Sequence, residues 1–203
     1  MLSADDIHFL WQIEVHCQRC MRAAKFFDCA SGTNKTLWTF TQNCYGEIAI
    51  TYWCKVFGAK SEPTHFSKLF EGRTFATGTG GAISINNVRQ RLQSAVGMSE
   101  GQYHQFWNEV KDARDKVFVH NEFTAQPRPT FPDIEKLAVV TAEMRTIIGE
   151  IVAGEQCQDS DYLTHFRYFM EDRPNRVFLR QITTDGNLLA AAIGKATWNE
   201  KQV

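Results

Sequence analysis

Between residues 4 and 154, apolar side chains recur at intervals of three and four, the spacing that lines one face of an α-helix. Ile7, Leu10, Trp11, Val15, Cys17, Cys20, Met21, Ala24 and Phe27 mark a first helix, which Ser3 can cap and the small polar run Ser31-Gly32-Thr33-Asn34 stops. Leu37, Trp38, Thr41, Tyr45, Ile48, Ala49, Tyr52, Trp53 and Val56 mark a second, ending at Gly58, where a left-handed cap is expected. Two long neighbours joined this closely form an antiparallel hairpin.

Pro63 suits the first turn of a short helix through Phe70, and the stretch from Gly72 to Gly81 reads as a flexible loop. Its Thr77-Gly78-Thr79-Gly80-Gly81 core lacks the Lys-Ser/Thr ending of a phosphate-binding P-loop, and no strand pattern precedes it. Ile85, Val88, Leu92 and Val96 predict a third helix ending at Gly97. Ser99-x-x-Gln102 is a capping box before Tyr103, Phe106, Trp107, Val110, Ala113 and Val117. Pro127, Pro129 and Pro132 impose an extended connection, after which Asp133 caps a helix carrying Ile134, Leu137, Ala138, Thr141, Met144, Ile148 and Ile151. The pattern predicts an all-α antiparallel bundle of about five to seven helices over residues 1–155. Residues 156–203 form a weakly specified extension, with a helix expected over 161–170 and either a strand or a helix over 176–179.

Composition narrows the function. The chain has 203 residues, is 43% hydrophobic and carries a formal net charge of −1, so it can bury a core but exerts no global pull on RNA, DNA or anionic lipid. A nucleic-acid role therefore needs a local site. The acidic start, Asp5-Asp6, and the lack of a membrane-length apolar run lead us to expect a cytoplasmic protein with no membrane partner. Six cysteines at irregular spacing read as core residues in a reducing compartment. His16, Cys17 and Cys20 lie close together, but one C-x-x-C without a second pair is a weak zinc signal, and nothing around the cysteines resembles a nucleophile turn. No metal or cofactor is expected.

The end of the fourth long helix reads Arg114-Asp115-Lys116-Val117-Phe118-Val119-His120-Asn121-Glu122. This arginine, five intervening residues and histidine resemble the motif of the HEPN superfamily. Trp53-Cys54-Lys55-Val56-Phe57-Gly58 and Thr64-His65-Phe66-Ser67-Lys68 resemble segments of its abortive-infection branch. The likeness covers about residues 5 to 150. It implies metal-independent RNA cleavage in a defence or toxin system, with two chains bringing their motifs together in a homodimer and an antitoxin protein as a possible partner.

Elementary chemistry accounts for the residue types. His120 can deprotonate a ribose 2′-hydroxyl or protonate a leaving oxygen, and Arg114 offers a planar, permanently charged fork to phosphate. Six helical steps set the two about 120° apart around the axis, which one straight helix cannot comfortably aim at one phosphate, and a second chain could complete the site. Asn121 shares the Arg114 face and would hold the phosphate or the His120 ring. Asp115 either orients Arg114 or His120 or is a solvated partner of a nearby lysine. Glu122 stands where some HEPN toxins carry a modifiable tyrosine, and its charge could repel RNA or raise the pKa of His120.

A plainer reading stands beside this one: a solvated Arg-Asp-Lys face and a structural histidine, in a catalytically silent helical dimer that binds RNA, a nucleotide or a protein. Residues 99–122 carry three basic and five acidic side chains, a net of −2, so the motif helix is no basic track. Cationic candidates lie elsewhere, at Arg19, Arg22 and Lys25, at Lys68 and Arg73, and at Arg89 with Arg91.

Overall fold

The computed structural model describes residues 1–30, 35–115 and 132–155. His120, Asn121, Glu122, Pro127, Pro129 and the extension 156–203 lie outside the described residues. The described chain is an all-α bundle with one small hairpin: α1 (Ala4–Cys29), α2 (Lys35–Phe57), a 3-10 helix (Phe66–Phe70), β1 (Phe75–Ala76), β2 (Ala82–Ile83), α3 (Ile85–Ala95), α4 (Glu100–Asp112) and α5 (Ile134–Gly154). The three predicted N-terminal caps are in place. Ser3 accepts from the Asp6 amide, Ser99 from Gln102 and Asp133 from Lys136, removing orphan donors at three helix starts. Ser84 and Asn87 form a further capping box on α3, and Gly97 follows that helix with φ of 64°.

The first helix packs against both α2 and α5. Phe26 stacks on Tyr45 and His16 on Tyr52, so α1 and α2 run antiparallel. Thr141 meets Cys20 and Arg145 meets Glu14, so α1 and α5 do likewise. Because α1 is covered from two sides, even Glu14 and Gln18 are buried on it, whereas Trp11, expected in the core, is 40% exposed. Ile48 also faces outward. Glu14 is fully buried and accepts from Arg145 Nε at 2.7 Å and Gln18 Nε2 at 2.9 Å, a charge-assisted tie between α1 and α5.

Three local expectations are corrected. The stretch from Gly72 to Gly81 is no flexible loop: Phe75 pairs with Ile83, both are buried, and the hairpin tip bonds back to α5 through the Gly78 amide and the Glu150 carbonyl. Gly154 permits that contact, since a Cβ there would lie 2.2 Å from the Thr77 carbonyl carbon. The short helix starts at Phe66 instead of Pro63, because the His65 side chain caps it by accepting from the Ser67 amide. Gly58 is not left-handed; it is needed because a Cβ would meet the Cys54 carbonyl oxygen.

Removing one partner of a buried ion pair strands the other's charge. Arg145→Ala should therefore lower stability by about 3–5 kcal/mol in urea unfolding, while Glu14→Met combined with Arg145→Met should recover most of that loss. A double variant as unstable as Arg145→Ala would contradict the assignment.

Candidate functional site

Trp53 ends the chain of contacts that places α4. Fully buried on α2, it packs against Phe57 on its own helix and edge-on against Phe106, which faces inward from α4. Trp107, one position on, donates its indole N–H to the Phe57 carbonyl at 2.5 Å. Phe57 in turn packs on Phe66, and Phe66 stacks with His65. The Trp53–Gly58 and Thr64–Lys68 segments thus form one aromatic cluster with α4.

Beyond Asp112 the α-helical turn widens over 113–115, the kind of π-type turn that re-aims side chains. Arg114 lies in it, 17% exposed. Its Nε donates to Asp115 at 2.6 Å and its Nη1 to Glu62 at 2.9 Å, 52 residues away in sequence. Burial disfavours the guanidinium charge, but Asp115 and Glu62 outweigh it and hold the Arg114 pKa above its usual value. Asp115 is therefore an orienting partner of Arg114. Lys116 lies outside the described residues, as do His120 and Asn121, so the structure places two of the four predicted site residues, and places them in contact.

The imidazole of His65 is buried, with Nδ1 2.8 Å from Ser67 Oγ and accepting from the Ser67 amide at 3.2 Å. Burial, reinforced by Lys60, Lys68 and Arg89, pulls its pKa down to about 4. It is thus a neutral ring at pH 7. The cleft beside it has a volume of about 370 Å³, walled by Phe57, Leu92, Tyr103 and Trp107 with exposed Lys60 and Arg89.

A second cleft, of about 390 Å³, lies between α1 and the segment after α2, lined by Trp11, His16, Arg19, Lys55, Glu62 and Thr64 among others. Glu62 joins it to Arg114. Sequence reasoning missed Glu62, whose ion pair spans distant positions and leaves no local signal. Among the predicted cationic clusters, Arg73 is fixed by Asp6 and Arg91 by Glu143 and Glu150, so both serve the fold. Arg22 bonds Gln18, also within the bundle. Arg19 and Arg89 line clefts.

The cysteines are poorly suited to nucleophilic chemistry where they are buried. Desolvation raises the Cys20 and Cys54 thiols to about 12 and Cys17 well above its usual value, whereas a nucleophile needs the thiolate. Among the described residues no group of three or more His, Cys, Asp or Glu side chains could hold a metal ion, and no helix is long and apolar enough to cross a membrane. Comparison with protein-family models, curated proteins and solved structures finds no match to this chain.

A histidine held below its unfolded value of about 6.5 stabilises the fold fully above that pH and loses its contribution as pH falls towards the folded value. For His65 the window runs from about 6.5 to about 4. His16, lowered to about 4 by burial, Lys55 and Arg19, adds in the same direction. Asp6, held at about 2 chiefly by its Arg73 hydrogen bond, loses its contribution only at lower pH. Urea midpoints should therefore drop between pH 7 and pH 4.5, and His65→Asn, which keeps a cap for Ser67, should flatten that slope. A slope unchanged by His65→Asn would contradict a buried neutral imidazole.

Proposed function

We propose that the chain is a metal-independent endoribonuclease of HEPN type, acting as a homodimer in a cytoplasmic defence or toxin system. The observation that supports this most is the meeting of separately recognised segments. Arg114, from the arginine-histidine motif, is bonded to Glu62, which lies between the Trp53–Gly58 and Thr64–Lys68 segments. An arginine so held is pre-oriented, and pre-orientation is what a phosphate clamp requires.

In this reading, His120 of one subunit removes the 2′-hydroxyl proton and the freed oxygen attacks the adjacent phosphorus. His120 of the partner subunit protonates the departing 5′-oxygen, leaving a 2′,3′-cyclic phosphate and a 5′-hydroxyl. Arg114 stabilises the charge on the phosphorane oxygens. Asn121 would hold the phosphate or the His120 ring, and Asp115 steadies Arg114. An antitoxin protein would restrain the enzyme in the cell.

The carboxylates on Arg114 also favour a second reading. A guanidinium paired with Glu62 and Asp115 can serve as a structural anchor, in a helical dimer that binds RNA, a nucleotide or a protein without cleaving. Incubating total RNA with the purified chain in EDTA separates the two. Cleavage with cyclic-phosphate ends should appear, falling at least about a hundredfold in His120→Ala and strongly in Arg114→Lys. Cleavage indifferent to His120→Ala would contradict the mechanism, and no cleavage of any RNA would favour the binding module.

A further inference from the structure

Most arginines on the bundle are neutralised by carboxylates. Arg73 is paired with Asp6, Arg91 with Glu143 and Glu150, Arg114 with Glu62 and Asp115, and Arg145 with Glu14. The cleft between α1 and the segment after α2 differs. Arg19 and Lys55 enter it from facing helices, and the sole carboxylate in its lining, Glu62, is bonded to Arg114. Arg19 donates to the neutral hydroxyl of Tyr52 at 2.9 Å and lies over that ring, which positions the guanidinium without cancelling its charge. His16 lines the cleft with them, its ring stacked on Tyr52 and its Nδ1 buried without a hydrogen-bond partner. Trp11, 40% exposed, lines the same cleft, its indole stacked with the His8 ring at 6.1 Å between centroids.

We propose that this cleft binds the phosphodiester backbone of single-stranded RNA, with Arg19 and Lys55 on the phosphates and Trp11 as a stacking face for a base. Positive groups that track a backbone beside an aromatic surface are the general solution for single strands. The volume of about 390 Å³ is within the range of small-molecule sites and accommodates a nucleotide unit. Glu62 links the cleft to Arg114, so a strand lying here passes near that arginine. The choice of RNA rests on the ribonuclease reading; the anion site itself rests on the charges. It also gives Lys55, in the Trp53–Gly58 segment, a role on the solvent side of α2.

The 203-residue chain carrying His120→Ala, which cannot consume the probe by the proposed mechanism, is titrated with a fluorescein-labelled oligouridylate in EDTA between about 50 and 200 mM salt. Binding should weaken as salt rises. Arg19→Gln with Lys55→Gln should cut affinity at least about tenfold at low salt and flatten the logarithmic salt slope by about 0.7 per lost contact. Lys60→Gln with Arg89→Gln, in the other cleft, should leave both nearly unchanged. Affinity and slope unaltered by the first pair, equal weakening by the control pair, or binding of inorganic phosphate without the oligouridylate would each overturn the proposal. Circular dichroism of each variant confirms that the fold survives. Failure of this inference differs visibly from failure of the ribonuclease reading: RNA cleaved by the wild-type chain with binding indifferent to Arg19 and Lys55 sinks only the cleft. Binding that depends on them, without any cleavage, sinks only the nuclease.

Discussion

The Arg114 guanidinium is drawn toward Asp115 beside it and toward Glu62, which precedes it by 52 positions, and this divided attachment fixes where the end of α4 can lie. The Glu62 contact ties the widened turn over 113–115 electrostatically to the segment after α2. With it, the motif helix, the aromatic cluster around Trp53 and the cleft containing Arg19 and Lys55 become parts of one corner of the bundle. A partly buried arginine with two acidic partners loses more if one is removed than an exposed pair would, because little solvent replaces the missing charge.

Behind that corner is a support built from different forces. Helix α1 lies against α2 through aromatic and cysteine packing and against α5 through apolar contact plus the Glu14–Arg145 pair. Trp53 and Phe106 carry the position of α2 across to α4, and the indole of Trp107 fixes the end of α2 by its bond to the Phe57 carbonyl. Both clefts border this support, with Phe57 and Trp107 walling one of them and Trp11 and Val15 of α1 lining the other.

What could be read from the sequence was mostly local. Caps at Ser3, Ser99 and Asp133 act over three residues, and helical periodicity acts over four, so both leave signatures in a short window. The β-hairpin depends on Phe75 and Ile83 finding a buried place and on Gly154 allowing close approach, none of which is visible around residues 72–83. Trp11 was misplaced because periodicity marks an apolar position without revealing how wide the covered face is. The same limit divided the candidate site. Arg114 and Asp115 were legible as neighbours, while Glu62 was hidden by distance. Arg19 looked no different from Arg73 or Arg91 until their remote carboxylate partners were located.

The chemical claim concerns an attack by the 2′-hydroxyl within the RNA strand, driven by histidine and arginine from two subunits. Nearly neutral overall charge makes sense for such an enzyme if recognition is confined to one cationic cleft and one clamp. The most direct measurement of the proposed activity compares an all-ribose oligonucleotide with the same strand carrying a single 2′-deoxy sugar on the 5′ side of the bond cut in the all-ribose strand, both in EDTA. The account predicts that cleavage at that bond disappears in the deoxy strand; undiminished cleavage there would contradict it.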